Sequence, residues 1–370
     1  MKLSQLTFTR FAFCLVVVFY HYAAPTIIKF YPATDPVFYY IHSLISYFFL
    51  LSGFILVISS SGKRGQPTDR QFWLNRFARV YPLYLFAFLL SLAAMAAVGE
   101  QSFLFVDGSL VKPALASLLL VQAWVPDYAY YSNYPGWSLS VEAFLYFLFP
   151  FLFRALRGLS ARNLIATAGL GWLLTQALQV YLNAAGVSKS FINAFPAFHI
   201  ATFVMGICLG ICFVRHFAYL KQHRKIVGIA SLIGMVLGSY LINTQSSLVH
   251  HFEPGLFSPI FALIILYLCT QENWLVRQFS QPAAVYLGEI SYGVYILQAP
   301  VAVLVRYINR NWLHWNMPLA FLLLIIVLLF VSVLCYEYIE KPGRNWLRRP
   351  LPNPAAQSAA GQLSPKSIGQ

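Results

Sequence analysis

The stretch TRFAFCLVVVFYH, residues 9–21, decides the fold class of this chain, because it places ten mostly apolar residues between an arginine and a histidine. With its neighbours, this stretch is long enough to cross a bilayer as a helix. Ionisable side chains are costly in hydrocarbon, so Arg10 and His21 each need a reason to lie in such a segment. The stretch therefore predicts a membrane helix that also has a function.

The composition of the whole chain agrees with this interpretation. Of the 370 residues, 59% are hydrophobic and only 10% are charged, and the mean hydropathy is +0.66. These values exclude an ordinary soluble domain and predict a polytopic membrane protein. The net charge of +14 lies in short clusters between apolar runs, so we expect no nucleic-acid partner. The five cysteines lie inside apolar runs without flanking metal ligands, and we predict no metal site.

Ten apolar runs have the length of a membrane span. They cover about residues 7–24, 41–60, 80–98, 137–154, 163–185, 196–214, 226–243, 255–271, 284–306 and 317–338. The sequence predicts an all-α, polytopic transmembrane helical bundle over residues 1–345. Residues 346–370 are rich in Pro, Ala, Ser and Gln, which predicts a disordered cytoplasmic tail.

The charges of the loops predict how the bundle is oriented. If both termini are cytoplasmic and ten runs cross, all four strongly basic segments lie inside, as the positive-inside rule requires. These segments are residues 62–79, 154–162, 215–225 and 340–349. If the apolar piece at 111–125 also crossed, three of them would face outward. We therefore expect residues 111–125 to be re-entrant or interfacial.

Two ionisable groups of the predicted spans, His21 and Glu142, point to chemistry at the outer side of the membrane. Arg10 and His21 are eleven positions apart, about 16 Å along a helix and nearly three turns, so both face the same direction. Glu142, in GWSLSVEAFLYF, lies one to two turns inside the fourth span, behind Trp137 and Ser138. A carboxylate at that depth is expected to hold and orient the His21 imidazole. A structural ion pair is the alternative for Glu142.

Further polar residues form a second group of candidates. Arg76 and Arg79 are three positions apart at the cytoplasmic mouth of the third span, where they would bind phosphate or anchor the helix as positive-inside residues. His199 begins the sixth span on the outer side and is either a site residue or an interfacial one. Ser52 and Gly53 lie in the middle of the second span, where small residues permit close helix packing.

Five motifs, in order along the chain, resemble those of the integral-membrane acyltransferase-3 family, whose members O-acylate lipopolysaccharide, exopolysaccharide and related glycans. The first is an arginine and a histidine separated by ten residues, here Arg10 and His21. The other four are FFLLSGFIL, FWLNRFARVYPLY, GWSLSVEAFLY and GEISYGVYILQAP, the last of which contains Tyr292. The similarity extends over nearly the whole chain.

The resemblance implies a donor, a class of acceptor and a place in the cell. The donor is acyl-CoA, usually acetyl-CoA, which is a co-substrate reaching the protein from the cytoplasm, and no permanently bound cofactor is expected. The acceptor is a glycan or lipid-linked glycan on the far side of the bacterial inner membrane, whose lipids surround the protein. Catalysis is assigned to His21 and Glu142, donor binding to Arg10, Arg76 and Arg79, and acceptor binding to Trp137, Ser138, His199 and Tyr292.

The chain departs from the family pattern at two positions. Phe11 follows the signature arginine where family members commonly have glycine, so we expect different helix packing there. Gln298 ends the motif of the penultimate helix where family members often have histidine, which removes a titratable group.

The sequence supports one main hypothesis and two rivals. In the main hypothesis an acyl group is transferred to a sugar hydroxyl, with His21 as general base or transient acyl carrier assisted by Glu142. A proton-coupled transporter or flippase would also bury Arg, His and Glu in its spans. A purely structural membrane subunit explains the shared depth of these polar groups least well.

Overall fold

The computed structural model describes residues 3–31, 41, 43–61, 68–99, 106, 108–244 and 254–348. Its helices are α1 (Gln5–Tyr22), α2 (Ala24–Phe30), α3 (Leu44–Ser60), α4 (Asp69–Ala97), α5 (Val111–Leu118), α6 (Gly136–Leu156), α7 (Ala161–Ala184), α8 (Lys189–Ala194), α9 (Ile200–Gln222), α10 (Arg224–Thr244), α11 (Ser258–Thr270), α12 (Trp274–Phe279), α13 (Pro282–Ile308), α14 (Met317–Cys335) and α15 (Lys341–Leu347). These ranges contain no β-strand, and the predicted all-α class is confirmed.

Each of the ten predicted apolar runs overlaps a helix, and residue 42 of the second run lies outside the described residues. By length and composition, seven helices of the described ranges can cross a membrane, and an eighth is added if α1 and α2, bent by 54°, form one span. The remaining two runs are the shorter apolar helices α3, of 17 residues, and α11, of 13 residues. The polytopic helical bundle is thus confirmed, while the number of crossings and the sidedness stay predictions.

Helix α4 begins well before the predicted third span. The prediction began at residue 80 because the apolar run starts there, directly after Arg79. The helix instead starts at Asp69, where the Thr68 side chain accepts a hydrogen bond from the Gln71 amide at 3.3 Å, and it continues through Pro82. Its arginines therefore lie on a packed helix and not in a loop.

The piece at residues 111–125 contains no helix long enough to cross a membrane, while its expected re-entrant or interfacial placement stays a prediction. It forms the short helix α5 and then a 3₁₀ turn at Gln122–Trp124. Tyr84 on α4 donates to the Ser117 carbonyl at 2.7 Å, and Gln122 donates to the Gly136 carbonyl at 2.9 Å. These bonds hold the segment between α4 and the start of α6.

Two glycines permit close helix contacts. A Cβ atom on Gly53 would lie 2.4 Å from the Phe203 carbonyl oxygen, so α3 packs closely on α9, as the small residues of α3 predict. A Cβ atom on Gly288 would lie 2.1 Å from the Thr7 carbonyl oxygen. Helix α13 therefore packs directly on α1, the helix that carries Arg10 and His21.

The C-terminal helix α15 continues to Leu347, two residues past the predicted start of the tail, and residues 349–370 lie outside the described part. Helix α15 packs on α4 at both of its ends. A Cβ atom on Gly343 would lie 2.8 Å from Pro82 Cβ, and Arg348 Nη2 is 3.4 Å from the Asn75 carbonyl oxygen. This packing brings the basic face of α15 to the arginines of α4.

Candidate active site

A cavity of about 790 Å³, counting the space at its opening, lies between α1, α3, α4, α6 and α13. Its ionisable and hydroxyl-bearing lining residues are Arg10, Ser52, Arg79, Ser138, Glu142, Tyr146, Glu289, Ser291, Tyr292 and Tyr295. We call it the arginine cavity. It combines cations and carboxylates from four helices in a volume that suits part of a large polar ligand.

Glu142 lies among the cations of the arginine cavity. Its carboxylate accepts a hydrogen bond from Ser52 Oγ at 3.2 Å and a short one from the hydroxyl of Tyr146, one turn later on α6. Arg10 and Arg79 line the same cavity. Placing a carboxylate beside buried cations offsets part of the cost of removing each charge from water.

A neighbouring cavity of about 640 Å³ has an almost wholly apolar lining and contains Arg76. Glu142 and Tyr146 line both cavities, so all three predicted donor-binding arginines converge on this pair. The Arg76 guanidinium lies 5.5 Å from the centre of the Phe72 ring and 5.9 Å from that of Tyr146. Its buried Nε meets no acceptor in the described part of the chain, which leaves a donor for a ligand.

His21 lies in a separate and smaller pocket of about 310 Å³. The lining residues are Val17, Tyr20, His21, Ile41, Ile45, Tyr134, Trp137 and Tyr295. We call it the histidine pocket. Tyr134 meets the imidazole edge to face, with ring centres 4.9 Å apart. Ile45 and Tyr295 line both this pocket and the arginine cavity, so they form the wall between the two.

The expected contact between Glu142 and His21 is wrong in this arrangement. His21 Nδ1 instead lies 2.8 Å from Oε1 of Gln298. Trp137 lines the histidine pocket, and Glu142 follows it by five residues, which is about 7.5 Å farther along α6. The carboxylate of Glu142 lines the arginine cavity and is absent from the lining of the histidine pocket.

Three of the four predicted acceptor-binding residues line the two spaces. Trp137 lines the histidine pocket, while Ser138 and Tyr292 line the arginine cavity. The hydroxyls of Ser138 and Tyr295 are 2.9 Å apart, which fixes Tyr295 in the wall. Tyr292 donates to the Val80 carbonyl at 2.8 Å and so joins α13 to α4.

His199, the fourth predicted acceptor-binding residue, lies behind the site. Its side chain is buried, and Nε2 is 2.9 Å from the Asn193 carbonyl oxygen. Its ring centre lies 5.7 Å from that of Trp137 and 4.8 Å from that of Phe49, outside the lining of both spaces. Its position makes His199 a support for Trp137 and not a contact of a ligand in either space.

Residues 3–337 match a family model described as an acyltransferase domain. The chain belongs to the acyltransferase-3 family. Acyltransferase MdmB of Streptomyces mycarofaciens is 38% identical over 122 residues, which are 32% of this chain and 30% of that protein. O-acetyltransferase OatA of Staphylococcus aureus is 22% identical over 321 residues, which are 80% of this chain and 52% of that protein.

A putative O-acetyltransferase of Staphylococcus aureus strain COL is 20% identical over 324 residues, again 80% of this chain and 52% of that protein. The chain thus spans about half the length, or less, of these curated relatives. No solved structure matches it. The apolar helices and the family membership together indicate a multi-pass membrane protein.

The first departure from the acyltransferase-3 pattern, Phe11, is part of the packed core. Its side chain is buried, and its ring centre lies 6.2 Å from that of Phe8. The close approach of α1 to α13 occurs one turn earlier, at Thr7, where the glycine is Gly288 on the opposing helix. The close contact thus depends on Gly288 of α13, and Phe11 of α1 packs one turn away from it.

Sequence reasoning missed two carboxylate contacts of this site. Tyr146 was within reach of the sequence, because a residue four positions after Glu142 shares its helix face. Glu289 lines the arginine cavity and accepts from the Tyr336 hydroxyl at 2.6 Å. It is an acid within a predicted span, and the rule that singled out Glu142 applies to it as well.

Two further arginines, Arg344 and Arg348, entered the sequence analysis only as charges of the basic segment 340–349. Burial, followed by the charges of Arg344, Arg76 and Arg79, lowers the pKa of Arg348. Arginines this close repel one another unless anions lie between them. The end of α15 therefore extends the cationic region of α4 toward the surface.

Proposed function

We propose that this membrane acyltransferase moves an acetyl group from cytoplasmic acetyl-CoA to a hydroxyl of a cell-surface or exported glycan, working in the bacterial inner membrane. The observation that supports it most is the arrangement along α1. Arg10 lines the arginine cavity, His21 lines the histidine pocket, and one wall of Ile45 and Tyr295 separates the two. A donor held in the first space would need to pass only this wall to bring its thioester to the imidazole.

The donor side would bind a polyanion. Coenzyme A carries several phosphate oxygens, and guanidinium groups bind them with paired, charge-assisted hydrogen bonds. Arg10, Arg76 and Arg79 surround the space near Glu142, and Arg344 and Arg348 extend the basic surface from α15. In this proposal the phosphates lie at the arginines and the pantetheine arm points toward Tyr295.

The chemistry would occur at His21. A sugar hydroxyl is a weak nucleophile at neutral pH, and a positioned imidazole takes its proton as the oxygen attacks the thioester carbonyl. The new ester C–O bond forms, the C–S bond breaks, and the proton passes from the imidazolium to the departing CoA sulfur. If His21 is instead the acyl carrier, a ring nitrogen bonds the acyl carbon as the C–S bond breaks and CoA leaves as a thiolate. The sugar oxygen then bonds the acyl carbon as the C–N bond breaks, and the hydroxyl proton passes to the freed imidazole or to the CoA thiolate.

Glu142 has a different role in this proposal from the one that the sequence suggested. Its carboxylate contacts Ser52 and Tyr146 and shares its cavity with Arg10 and Arg79. We assign it to holding the arginines in the geometry that receives the donor. Glu142 would thus act on donor binding and orientation, while His21 handles the proton.

The proposal is tested by comparing the polysaccharides of the producing bacterium with and without the gene. Base-labile acetyl esters, detected by NMR, should disappear on deletion and return with the wild-type chain. They should not return with His21→Ala at equal membrane abundance. An unchanged ester content would contradict the proposal and favour a transporter or flippase, for which the amount of exported glycan would fall instead.

A further inference from the structure

The side chain of Gln298 is fully buried on α13 and makes two hydrogen bonds. Its Nε2 donates to the Tyr295 carbonyl at 2.8 Å. Its Oε1 lies 2.8 Å from Nδ1 of His21, on the helix packed against it. The amide thus connects the backbone of α13 to the imidazole proposed to react.

These two contacts fix the orientation of the amide. With the amide reversed, Oε1 would face the Tyr295 carbonyl oxygen, and two acceptors would oppose each other with no proton between them. In the observed orientation the atom that faces His21 is an oxygen, which only accepts hydrogen bonds. The Nδ1 atom of His21 must therefore carry the proton of this contact.

We propose that Gln298 is a positioning residue that holds neutral His21 in its Nδ1–H tautomer, so that Nε2 stays free to accept a proton or an acyl group. The inference rests on the proposed function in that His21 is the reacting group. The inference gives a role to Gln298, which stands where family members often have histidine. Gln298 orients the ring as a hydrogen-bond acceptor without being titratable itself.

Among the described residues, no carboxylate lines the histidine pocket to do the same work. The lining of the histidine pocket contributes only phenol, indole and alkyl groups beside the imidazole. Tyr20 and Tyr22 flank His21 on α1, Tyr134 faces it from the segment before α6, and Tyr295 faces it from α13. The nearby cation is Arg306, which interacts electrostatically with Tyr22.

A neutral amide has a definite consequence for the proton. It stabilises the imidazolium that forms during transfer less than a carboxylate would. The proton taken from the hydroxyl therefore leaves Nε2 readily for the CoA sulfur as the C–S bond breaks. A carboxylate at position 298 should favour the same tautomer of His21 but should keep the imidazolium protonated up to a higher pH.

The test is solid-state NMR of the full-length protein in lipid bilayers with isotopically labelled imidazole nitrogens. His21 signals are identified by their loss in His21→Ala. We expect neutral His21 to carry its proton on Nδ1 in the wild type and in Gln298→Glu, and to lose that preference in Gln298→Leu. Gln179→Leu is the matched control, because Gln179 is equally buried and its amide donates to the Pro254 carbonyl at 3.0 Å.

The kinetic readout uses native membranes and acetyl-CoA labelled in its acetyl group. Loss of a supporting hydrogen bond to a functional imidazole costs roughly 10-fold, so Gln298→Leu should lower kcat by about that factor. The KM for acetyl-CoA should stay unchanged. Gln298→Glu should restore kcat at high pH. It should also move the acidic limb of the plot of kcat against pH, where the rate rises as His21 loses its proton, to higher pH.

Two results would overturn the inference, namely an Nε2–H tautomer in the wild type or the same Nδ1–H preference in Gln298→Leu. Either is measured without acyl transfer and does not depend on the acceptor. A fully active His21→Ala variant would instead overturn the proposed function. The two failures are thus distinguishable.

Discussion

The arginine cavity and the histidine pocket differ in size, charge and the way their polar groups are stabilised. Counting the space at their openings, the cavity has about 790 Å³ with two arginines and two glutamates in its lining, and the pocket has about 310 Å³ with mostly aromatic walls. One helix, α1, supplies a key residue to each. The difference indicates that the molecule separates binding of a large anion from chemistry at a single imidazole.

The two regions also meet the cost of burying polar groups in different ways. In the cavity, charges of opposite sign lie together, and Glu142 and Glu289 each accept a hydrogen bond from a tyrosine. In the pocket, one neutral amide from Gln298 satisfies Nδ1 of His21. An imidazole that must gain and lose a proton is better served by a neutral partner than by a fixed charge.

The largest expected effect comes from removing the imidazole. Because a positioned general base contributes about 10²–10⁴-fold, His21→Ala should lower acetyl transfer by that factor at equal membrane abundance. Transfer is measured as labelled acetyl in the polysaccharide. His223→Ala is the control, since the His223 imidazole bonds the Tyr219 carbonyl one turn earlier and lies outside the lining of both spaces. Equal loss in both variants would remove His21 from the chemistry.

A second prediction concerns the helix contact that holds the two regions together. Gly288→Ala would place a Cβ atom against the Thr7 carbonyl, and overpacking of this kind costs about 1–3 kcal/mol. The free energy of unfolding is measured by SDS titration in mixed micelles. Gly169→Ala is the control, because a Cβ atom there meets nothing within 4 Å. Equal stability of both variants would contradict the close packing of α1 on α13.

A third prediction separates the role of the Glu142 carboxylate from that of the Gln298 amide. Glu142→Gln should lower kcat/KM for acetyl-CoA by about 10-fold, because hydrogen bonds to a charged group are lost beside the arginines. The acidic limb of its rate profile should stay in place, in contrast to Gln298→Glu. Asp69→Asn removes an exposed ion pair with Arg154 and should change little. A displaced acidic limb in Glu142→Gln would restore the direct pairing with His21.

The smallest predicted effect lies in the wall between the two regions. Tyr295→Phe removes the hydrogen bond to Ser138, which is worth about 1 kcal/mol, and should lower transfer roughly fivefold. Binding of acetyl-CoA, measured separately, should be unchanged because the arginines are intact. A loss of binding equal to the loss of transfer would show that the wall belongs to the donor site.

Local patterns predicted most of the fold. Helical rise placed Arg10 and His21 on one face of α1, and hydropathy located all ten apolar helices. The start of α4 was placed too late because the apolar run begins only after Arg79. The segment from Asp69 to Arg79 carries four charges and so lies outside the apolar run, yet it continues the same helix.

Contacts between distant segments could not be predicted in the same way. Gln298 is 277 positions from His21, and their hydrogen bond exists only because Gly288 lets α13 approach α1. The side of the wall on which Glu142 falls depends on a few ångströms along α6. Hydropathy predicts only the depth of a residue in the membrane, and depth alone does not decide which of the two spaces Glu142 lines.

The most direct test of the separation is equilibrium binding of acetyl-CoA to purified full-length protein in lipid nanodiscs. Arg79→Ala should weaken binding by at least about 10-fold, the scale of one charge-assisted hydrogen bond, while His21→Ala binds like the wild type. Arg162→Ala, which removes an exposed arginine at the start of α7, should also bind normally. Unchanged affinity in Arg79→Ala, or an equal loss in His21→Ala, would contradict the account.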